Sequence, residues 1–498
     1  MEEAESRRAG LTTPPVAVAG ETRCHLLVVG AGPAGLVAAV GAAGLGAKVA
    51  LAEERLLGGD CLHTGCVPSK ALLHEARLHG RSVGVVEAFA RVRRRRAAMA
   101  EADRVDKFQS LGIEVLGGRA VFTGPQTARV GGRDVRFRKA IIATGSRPWV
   151  PAAIQGLNST PFFTTDSIWQ MDKDPGRVLV LGGGPVGCEL SQALARLGCP
   201  VVLVHHGEKL LPGDDDEARA EIRKALEASG VDVMTGVSVL SLTRDAAGAI
   251  AATTDLGLIR ADTLVLATGR RAHLDGLGLK EAGVATMDDG PTVPGCDGIR
   301  VDGYLRTSND RIFAVGDAVA GAPRFTHAAD AMSRLAVRNA LVAKPWPFGL
   351  LLGAIWQPHL VPWCTWTDPE VAGVGEPGPV LHRIDLEAND RHALEEAGPG
   401  WLKAWTDRRG VLTGVSICGR GAGELIGVAA LAIRERWPLR KLSGWIVPYP
   451  SRNQAISRAG DAAARTALTP AVAGWLRWWI GNYSKLQKHG LKKKDQQL

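Results

Sequence analysis

The sequence predicts an α/β protein with two Rossmann-like dinucleotide-binding domains followed by a C-terminal α+β domain. Three observations support this fold class. The chain has 498 residues, which is enough for about three domains. One glycine-rich turn between an apolar strand and a helix lies near the amino end, and a second lies in the middle of the chain. Both turns open a strand–helix–strand unit, the usual cradle for a dinucleotide.

In the first unit, an apolar strand at residues 26–29 leads into a turn, an alanine-rich helix and a second strand at residues 48–52. The glycines of this turn are Gly30, Gly32 and Gly35. They permit a tight turn, close approach of the backbone to a pyrophosphate, and close helix–strand packing. Glu53 ends the second strand, where a carboxylate accepts hydrogen bonds from a ribose.

The second unit repeats this pattern, with strands at residues 178–181 and 201–204. The glycines of its turn are Gly182, Gly184 and Gly187. No acid follows its second strand, where His205 and His206 stand instead. Without a carboxylate to receive a ribose 2′-hydroxyl, NAD loses its usual partner. A histidine pair tolerates a 2′-phosphate although the usual arginines are missing, so the pattern favours NADPH over NADH.

Two cysteines with four residues between them, Cys61 and Cys66, follow a glycine turn and enter a predicted helix with Pro68 at its first position. A helix start stabilises a thiolate. The pattern is typical of a redox-active disulfide. A buried stabilising disulfide is the weaker alternative, because so small a ring removes little chain entropy. A zinc half-site is the other, but no matching Cys/His pair appears elsewhere.

This run resembles the redox motif of the class I flavin-dependent pyridine nucleotide–disulfide oxidoreductases, and most closely that of the mercuric reductase branch. Glutathione reductase and dihydrolipoamide dehydrogenase are more distant members. His63 stands where usual members carry asparagine. Further family markers recur in order at residues 118–120, 143–145, 267–270, 314–317 and 367–375.

The resemblance implies that the first unit binds FAD and the second binds NADPH or NADH. It also implies a C-terminal domain that forms a homodimer. The residues implied to bind FAD, besides the first glycine turn and Glu53, are Lys70, Ala120, Thr144, Gly145 and Asp317. Gly269 joins the second turn and the two histidines at the nicotinamide site. We expect an FAD domain at 21–150 and 286–345, an NAD(P) domain at 151–285, a dimerisation domain at 346–466 and an extension at 467–498.

By the same resemblance, electrons pass from NAD(P)H through the flavin to a Cys61–Cys66 disulfide. Cys66 is the thiolate next to the flavin, and Cys61 attacks or binds the substrate. Lys70 and Glu189 match a lysine–glutamate pair beside the flavin, where a cation stabilises the reduced anionic ring.

The chain departs from the family pattern at the residues expected to act on the electron acceptor. Disulfide reductases of the family donate a His-Glu base across the dimer, but Tyr449 and Gln454 occupy those positions. Tyrosine, with a pKa near ~10, is a poor proton shuttle near neutrality. Mercuric reductases carry a comparable tyrosine, and soft thiolates at Cys61 and Cys66 suit Hg(II). This chain lacks their terminal cysteine pair, since no cysteine follows Cys418. We therefore expect a metal ion or a sulfur compound as acceptor, with dihydrolipoamide-type turnover as the alternative.

Composition narrows the partners and the compartment. Hydrophobic residues make up 46% and charged residues 22% of the chain, which is typical of a globular protein. No apolar run reaches the ~18–20 residues of a spanning helix, and no secretory signal is seen. We expect a cytoplasmic protein with residues 1–20 disordered. The net charge is +9, but the basic run at residues 91–96 is expected to be a solvated helix face rather than a nucleic-acid site.

The C-terminal extension is the least family-like segment. Trp475, Trp479, Tyr483 and Leu486 fall on one helical face, with Trp478 and several lysines nearby. The stripe is expected to dock onto the protein itself or a partner; a helix lying at a membrane surface is the alternative. The latter would suit a membrane-tethered flavoprotein redox partner with little turnover of its own.

Overall fold

The computed structural model describes residues 14, 19–246, 248–287, 297–346, 349–466 and 468–494, and describes residues 344–351 and 483–494 by their backbone alone. The chain divides into two compact units. Unit 1 comprises Met1–Val361 with Thr365–Asp368, and unit 2 comprises Pro362–Cys364 with Pro369–Leu498. The predicted disorder of residues 1–20 falls almost wholly outside the described residues.

Unit 1 contains twenty strands and eight α-helices within its described residues. The strands are β1 (Gly20–Val29), β2 (Val49–Glu53), β3 (Ile113–Gly117), β4 (Ala120–Gly124), β5 (Thr127–Val130), β6 (Arg133–Ile142), β7 (Ser146–Pro148), β8 (Val178–Leu181), β9 (Val201–His205), β10 (Val231–Thr235), β11 (Val239–Arg244), β12 (Ile250–Thr254), β13 (Gly257–Ala261), β14 (Thr263–Leu266), β15 (Arg270–Ala272), β16 (Thr286–Met287), β17 (Gly298–Ile299), β18 (Ile312–Ala314), β19 (Lys344–Trp346) and β20 (Gly349–Leu351). The helices are α1 (Pro33–Gly44), α2 (Gly59–His63), α3 (Cys66–Leu78), α4 (Val85–Ala100), α5 (Val105–Ser110), α6 (Pro185–Arg196), α7 (Asp216–Ala228) and α8 (Thr326–Val337).

The first sheet of unit 1 is parallel at its centre. Strands β3, β2, β1 and β6 pair in that order, and β18 pairs with the carboxyl end of β6. The amino half of β6 instead pairs antiparallel with β5, which pairs with β4. The central strand β1 is fully buried at Leu26, Leu27 and Val28, as apolar residues covered on both sheet faces should be. The late strand β18 therefore completes a sheet begun at the amino end.

The second sheet has the same plan. Strands β10, β9, β8 and β14 are parallel, and β11, β12 and β13 form a separate antiparallel meander. Helix α6 follows β8 as α1 follows β1. The two predicted strand–helix–strand units are thus both present. The predicted Rossmann-like fold class is confirmed.

The two segments that connect these sheets run side by side. Strand β7 leaves the first sheet and β15 returns to it, and the two pair antiparallel, with Ser146 opposite Ala272. Thr268 Oγ1 donates to the Trp149 carbonyl over 2.6 Å and adds a side-chain bond to the pair. Residues between β7 and β15 thus enter and leave their domain through one narrow ribbon.

The arginines of helix α4 are partly exposed, and several of them also have partners within the protein. Arg91 and Arg95 form ion pairs with the buried carboxylate of Glu75 in helix α3, at 3.1 and 2.6 Å. Arg93 donates to the Met171 carbonyl over 2.8 Å. These guanidinium groups have partners within the protein and hold α4 against its neighbours.

Unit 2 is built on an antiparallel sheet with the order β21, β22, β25, β24 and β23. Its strands are β21 (Trp363–Thr365), β22 (Val371–Gly375), β23 (Val380–Asp385), β24 (Trp401–Thr406) and β25 (Leu412–Cys418). Its helices are α9 (Asp390–Leu394), α10 (Ala422–Arg434), α11 (Gln454–Thr466) and α12 (Pro470–Lys494). Helix α10 packs on β22 and β25, and α11 packs on β23. This is the predicted α+β domain.

Helix α12 ends the described chain and shows an aromatic surface. Trp475 and Trp479 stack with their ring centroids 5.9 Å apart, and Trp478 is 57% exposed. The side chains of Tyr483 and Leu486 lie outside the described set. None of the helices in the described ranges is both long enough and apolar enough to cross a membrane.

Candidate active site

Cys61 and Cys66 lie at two consecutive helix starts. Cys61 is in the short helix α2, and Cys66 is the first residue of α3. Pro68 is therefore the third helical residue, not the first as predicted; the first four helical amides have no intrahelical partner, so proline is tolerated there as well. The two sulfurs are not bonded to each other in this structure. Cys66 is exposed to solvent and Cys61 is half-buried.

The two thiols differ in acidity. The hydrogen bond from Cys61, a second from Thr326 and the charge of Lys70 lower the pKa of Cys66 to about 6, against the opposing effect of burial. Thr326 Oγ1 lies 3.5 Å from Cys66 Sγ. The same Cys66 contact and burial raise the pKa of Cys61. The pair is therefore asymmetric, with Cys66 the more acidic of the two thiols.

An ion pair between a partly exposed lysine and a buried glutamate lies one helical turn beyond Cys66. Lys70 Nζ donates to Glu189 Oε2 over 2.7 Å, and the Glu189 side chain is 4% exposed. The other oxygen, Glu189 Oε1, accepts from the Trp366 amide over 2.9 Å. Both carboxylate oxygens are therefore paired, as a buried charge requires. The predicted lysine and glutamate meet, although Lys70 is on α3 and Glu189 is on α6.

The residues between the two cysteines are anchored from three sides. His63 Nε2 lies 2.8 Å from the Leu57 carbonyl, and burial lowers the pKa of His63, so the neutral ring donates this bond. Arg96 donates to the His63 carbonyl over 3.1 Å. The buried indole of Trp169 donates to the Thr64 carbonyl over 2.8 Å. These bonds fix the backbone that sets the cysteine geometry.

A polar chain joins the redox run to the return segment at β15. Asp60 and Arg270 form a close ion pair. Arg270 Nε donates to Ser146 Oγ over 2.7 Å, and Ser146 Oγ donates to Asp317 Oδ2 over 2.6 Å. Burial raises the pKa of Asp60, and the charge of Arg270 opposes that shift. Residues from four separate segments of unit 1 thereby converge.

The first cleft fits a dinucleotide. It is lined by residues of β1, β2 and β4 and of the turn after β1, including Gly30, Glu53 and Ala120. Glu53 accepts from the amides of Ala31 and Arg55 over 2.7 and 2.8 Å, and burial raises its pKa. Thr144 Oγ1 is buried in this cleft with no partner among the described residues. A buried hydroxyl without a partner is unfavourable, so a bound group that supplies one suits this site.

The glycine turns show the same division of roles in both units. A Cβ at the first or third glycine would overlap backbone: Gly30 lies against the Ala143 carbonyl and Gly187 against the Gly182 carbonyl, at 2.5 and 1.8 Å. At the middle position, a Cβ on Gly184 would meet nothing within 4 Å, and one on Gly32 only Gly59 Cα at 3.8 Å. The packed glycines shape the turn, and the open ones leave room for a pyrophosphate.

The redox run packs directly on the first turn. The Gly58 amide donates to the Ala31 carbonyl over 2.9 Å. Gly59 has φ +57°, and a Cβ there would lie 2.5 Å from Gly32 Cα. Helix α2, which carries Cys61, is thereby held against the first dinucleotide cradle.

At the second cradle, the predicted histidines differ in exposure. His205 ends β9 and is 9% exposed, whereas His206 is exposed. Their rings meet edge to face at 4.9 Å. Burial lowers the pKa of His205, and the neighbouring His206 adds to that effect. The carbonyl of Gly269, which directly precedes β15, accepts a hydrogen bond from the Trp149 amide over 2.9 Å.

The predicted Tyr449 lies in unit 2, and its side chain is 71% exposed. A hydrogen bond to the Asp390 carboxylate raises its pKa above the ordinary value. The phenol therefore stays protonated at neutral pH. This contact strengthens the expectation that Tyr449 is a poor proton shuttle.

Sequence reasoning missed Thr326, Trp169 and Arg96. Thr326 starts helix α8 and is 260 positions from Cys66, so no local motif connects them. Trp169 and Arg96 donate hydrogen bonds to backbone carbonyls. Every residue has such a carbonyl, so the sequence gives no sign of these contacts. Arg270 belongs to the family marker at residues 267–270, but its ion pair with Asp60 is a tertiary contact that the marker does not predict.

The other cysteines lie away from the redox run in the sequence. Cys24, Cys188, Cys199 and Cys418 are buried, Cys364 is half-buried, and Cys296 lies outside the described residues. Within the described part of the chain, no group of three or more His, Cys, Asp or Glu side chains could hold a metal ion.

Comparison with known proteins agrees with this geometry. A family model described as pyridine nucleotide-disulphide oxidoreductase matches residues 24–333, and the model of its dimerisation domain matches residues 361–459. A mercuric reductase of Acidithiobacillus ferrooxidans is 32% identical over 472 residues, covering 89% of this chain and 83% of its own. A dihydrolipoyl dehydrogenase of Thermus scotoductus is 32% identical over 478 residues, covering 89% and 98%.

Two solved structures share the fold. LpdA from Mycobacterium tuberculosis has a TM-score of 0.77 at 25% identity and covers 89% of this chain and 99% of its own. The Cu(II) complex of the HOCl-induced flavoprotein disulfide reductase RclA from Escherichia coli has a TM-score of 0.77 at 24% identity, with coverage of 89% and 99%.

Proposed function

The chain belongs to the class I pyridine nucleotide-disulphide oxidoreductases, and on that premise we propose that it uses NADPH to reduce a metal ion or a sulfur-containing acceptor through Cys61 and Cys66. The observation that carries the proposal is the asymmetric dithiol beside the Lys70–Glu189 pair, on a helix that packs against a dinucleotide cradle. The family uses FAD and NAD(P)H, so the enzyme is a flavin oxidoreductase.

The residues of unit 1 fit both cofactors. FAD would be held by the first glycine turn, Glu53, Ala120, Thr144 and Gly145, with Asp317 and Lys70 near its reactive end. The nicotinamide would be held by the second turn, Gly269 and the two histidines. When bound, these cofactors supply two electrons to the cysteine pair. The protein holds the pair at a fixed position and keeps a cation, Lys70, beside it.

Cys61 and Cys66 have different tasks in reducing a disulfide acceptor. Cys61 loses its proton and attacks one acceptor sulfur, which breaks the acceptor bond and releases one half as a thiol that takes that proton. The Cys66 thiolate then attacks Cys61 Sγ, which forms the Cys61–Cys66 disulfide and releases the second half as a thiolate. The acceptor gains two electrons and the cysteine pair is oxidised. A soft metal ion such as Hg(II) would instead be bound by both sulfurs.

The state of Tyr449 favours the metal ion over the lipoamide-type acceptor. A disulfide reaction benefits from a base that shuttles the Cys61 proton, and a protonated phenol paired with Asp390 is unsuited to that task. The named relatives include both mercuric reductases and dihydrolipoyl dehydrogenases. Assays of Hg(II), lipoamide and glutathione disulfide side by side test the choice. Efficient lipoamide turnover would contradict it.

Anaerobic titration of the purified enzyme with NADPH tests the redox role. A long-wavelength band from the Cys66 thiolate against the flavin is expected on reduction. Cys66→Ser should abolish that band while leaving flavin bleaching intact, and Cys61→Ser should preserve it. A band that survives in the Cys66 variant would rule the proposal out.

His206 supports NADPH as the donor, because the exposed imidazole stands at the end of β9 where no carboxylate repels a 2′-phosphate. The specificity constants for NADPH and NADH, measured with one acceptor, test this choice. A higher value for NADH would contradict it.

The match of unit 2 to a dimerisation domain supports a homodimer. In such a dimer, Tyr449 is proposed to face the cysteine pair of the partner subunit. Size determination in solution tests the assembly, and a monomer that turns over acceptor would contradict it.

A second, peripheral role is proposed for α12 at an anionic membrane surface. Trp475, Trp478 and Ile480 are 57%, 57% and 71% exposed on a helix that also carries lysines. Aromatic residues with nearby cations suit the lipid interface. Flotation with anionic and neutral vesicles, using the full chain and a chain ending at residue 469, tests this role. Equal partitioning of the two chains would contradict it.

A further inference from the structure

Unit 2 carries a cluster of arginines around one carboxylate next to Tyr449. Arg391 and Arg452 each form a close ion pair with Glu395, and Arg420 NH1 lies 3.8 Å from Glu395 Oε2. These side chains come from α9, from the segment after β25 and from the segment before α11. Three separate segments of unit 2 therefore bring guanidinium groups to a single anion.

The cluster extends to Tyr449 through Asp390. Arg458 NH2 lies 3.9 Å from Asp390 Oδ1, and the neighbouring Asp390 carboxylate raises the pKa of the Tyr449 phenol. Asn389 Nδ2 donates to the Ser451 carbonyl over 3.1 Å, which ties the start of α9 to the segment that carries Tyr449. The arginines and the tyrosine are thus parts of one surface.

The charges of this surface do not balance. Arg391, Arg420, Arg452 and Arg458 face only the Glu395 and Asp390 carboxylates in these contacts, which leaves a surplus of two positive charges. Arg391 and Arg420 remain 47% and 42% exposed, so they are open to a ligand. Arg452 Nε is buried and has no hydrogen-bond partner among the described residues. A negatively charged ligand would balance the surplus positive charge and accept a hydrogen bond from Arg452 Nε.

We propose that this arginine cluster binds a carboxylate-bearing electron acceptor and holds it beside Tyr449. The inference rests on the proposed function, because it makes Tyr449 part of the acceptor site. Guanidinium groups bind carboxylates through paired hydrogen bonds, which suits a small anionic disulfide or a metal ion carried by an anionic thiol. Neutral acceptors of similar size gain nothing from the cluster. The surface thereby selects acceptors by charge.

Steady-state kinetics of the full-length holoenzyme with two chromogenic disulfides tests this selection. Dithiobis(nitrobenzoate) is dianionic and dithiodipyridine is neutral. In Arg391→Gln/Arg420→Gln, KM for the dianion should rise about tenfold with kcat unchanged, because each exposed charge contact is worth about threefold. KM for the neutral disulfide should not change. Arg434→Gln, at another exposed arginine of unit 2 that forms an ion pair with Glu435, is the matched control.

Equilibrium dialysis with the thionitrobenzoate dianion separates this inference from the proposed function, since it needs no turnover. Weaker binding by the double variant than by the Arg434 control supports the cluster as an anion site, even if neither disulfide is reduced. Equal binding by the two variants overturns the inference, even if both disulfides are reduced. An equal rise in KM for both disulfides overturns it as well.

Discussion

The contact between Thr326 and Cys66 provides a quantitative test of how the cysteine pair is tuned. Thr326→Val keeps the shape of the side chain and removes the hydroxyl that lies 3.5 Å from Cys66 Sγ. A hydrogen bond to a charged group is worth about 1.5 kcal/mol, which corresponds to about one pKa unit. The pKa of Cys66, about 6 with the hydroxyl present, should therefore rise to about 7.

The sign of the pH effect follows from the lowered pKa. In the wild type the thiolate is present above pH 6 and is lost as the pH falls through about 6. In Thr326→Val the loss should already occur as the pH falls through about 7. Titration of the long-wavelength band of the reduced enzyme against pH measures this midpoint. Thr326→Ser, which keeps the hydroxyl, is the control, and coincident midpoints for the valine variant and wild type would refute the reasoning.

Three further changes test other parts of the site. Trp169→Phe should lower the free energy of unfolding by about 2 kcal/mol, because it removes the indole N–H that the Thr64 and Thr165 carbonyls share; chemical denaturation measures this, and Trp401→Phe, whose indole N–H has no partner within the described chain, should cost less. Asp60→Asn should cost under about 1 kcal/mol, since its side chain is 51% exposed; a larger loss of thermal stability would mean that the Arg270 pair is not screened. His205→Glu should shift the ratio of specificity constants towards NADH by about tenfold, because a carboxylate accepts the ribose hydroxyl; an unchanged ratio would place the 2′-phosphate elsewhere.

The fold was predictable because its signals are local. Each glycine turn lies within a few residues of its strand and helix, and the steric reason is visible at Gly30 and Gly187, where a Cβ would strike backbone. The cysteine run likewise contains its own helix start. Only the position of Pro68 within that helix was wrong, by two residues.

The rest of the site depends on contacts between distant segments. The Lys70–Glu189 pair was predicted by resemblance, but the third partner, the Trp366 amide, was not. Thr326 and Trp169 reach the cysteine run from other elements, and ordinary residue types give no sign of such a meeting. The ion pairs of the basic run on α4 were not predicted for the same reason, since the carboxylate of Glu75 that pairs with Arg91 lies on another helix.

The ribbon formed by β7 and β15 has a consequence for synthesis of the chain. Strand β18 reaches its place beside β6 only after everything between the two ribbon strands has left the ribosome. The first sheet therefore lacks β18 while the inserted segment, residues 149–269 between the two ribbon strands, emerges and folds. Because this inserted segment begins and ends at neighbouring positions, it could be removed and β7 joined to β15 by a short loop. Pairing of β18 with β6, which completes the first sheet, is then a slower folding step than folding of the inserted segment.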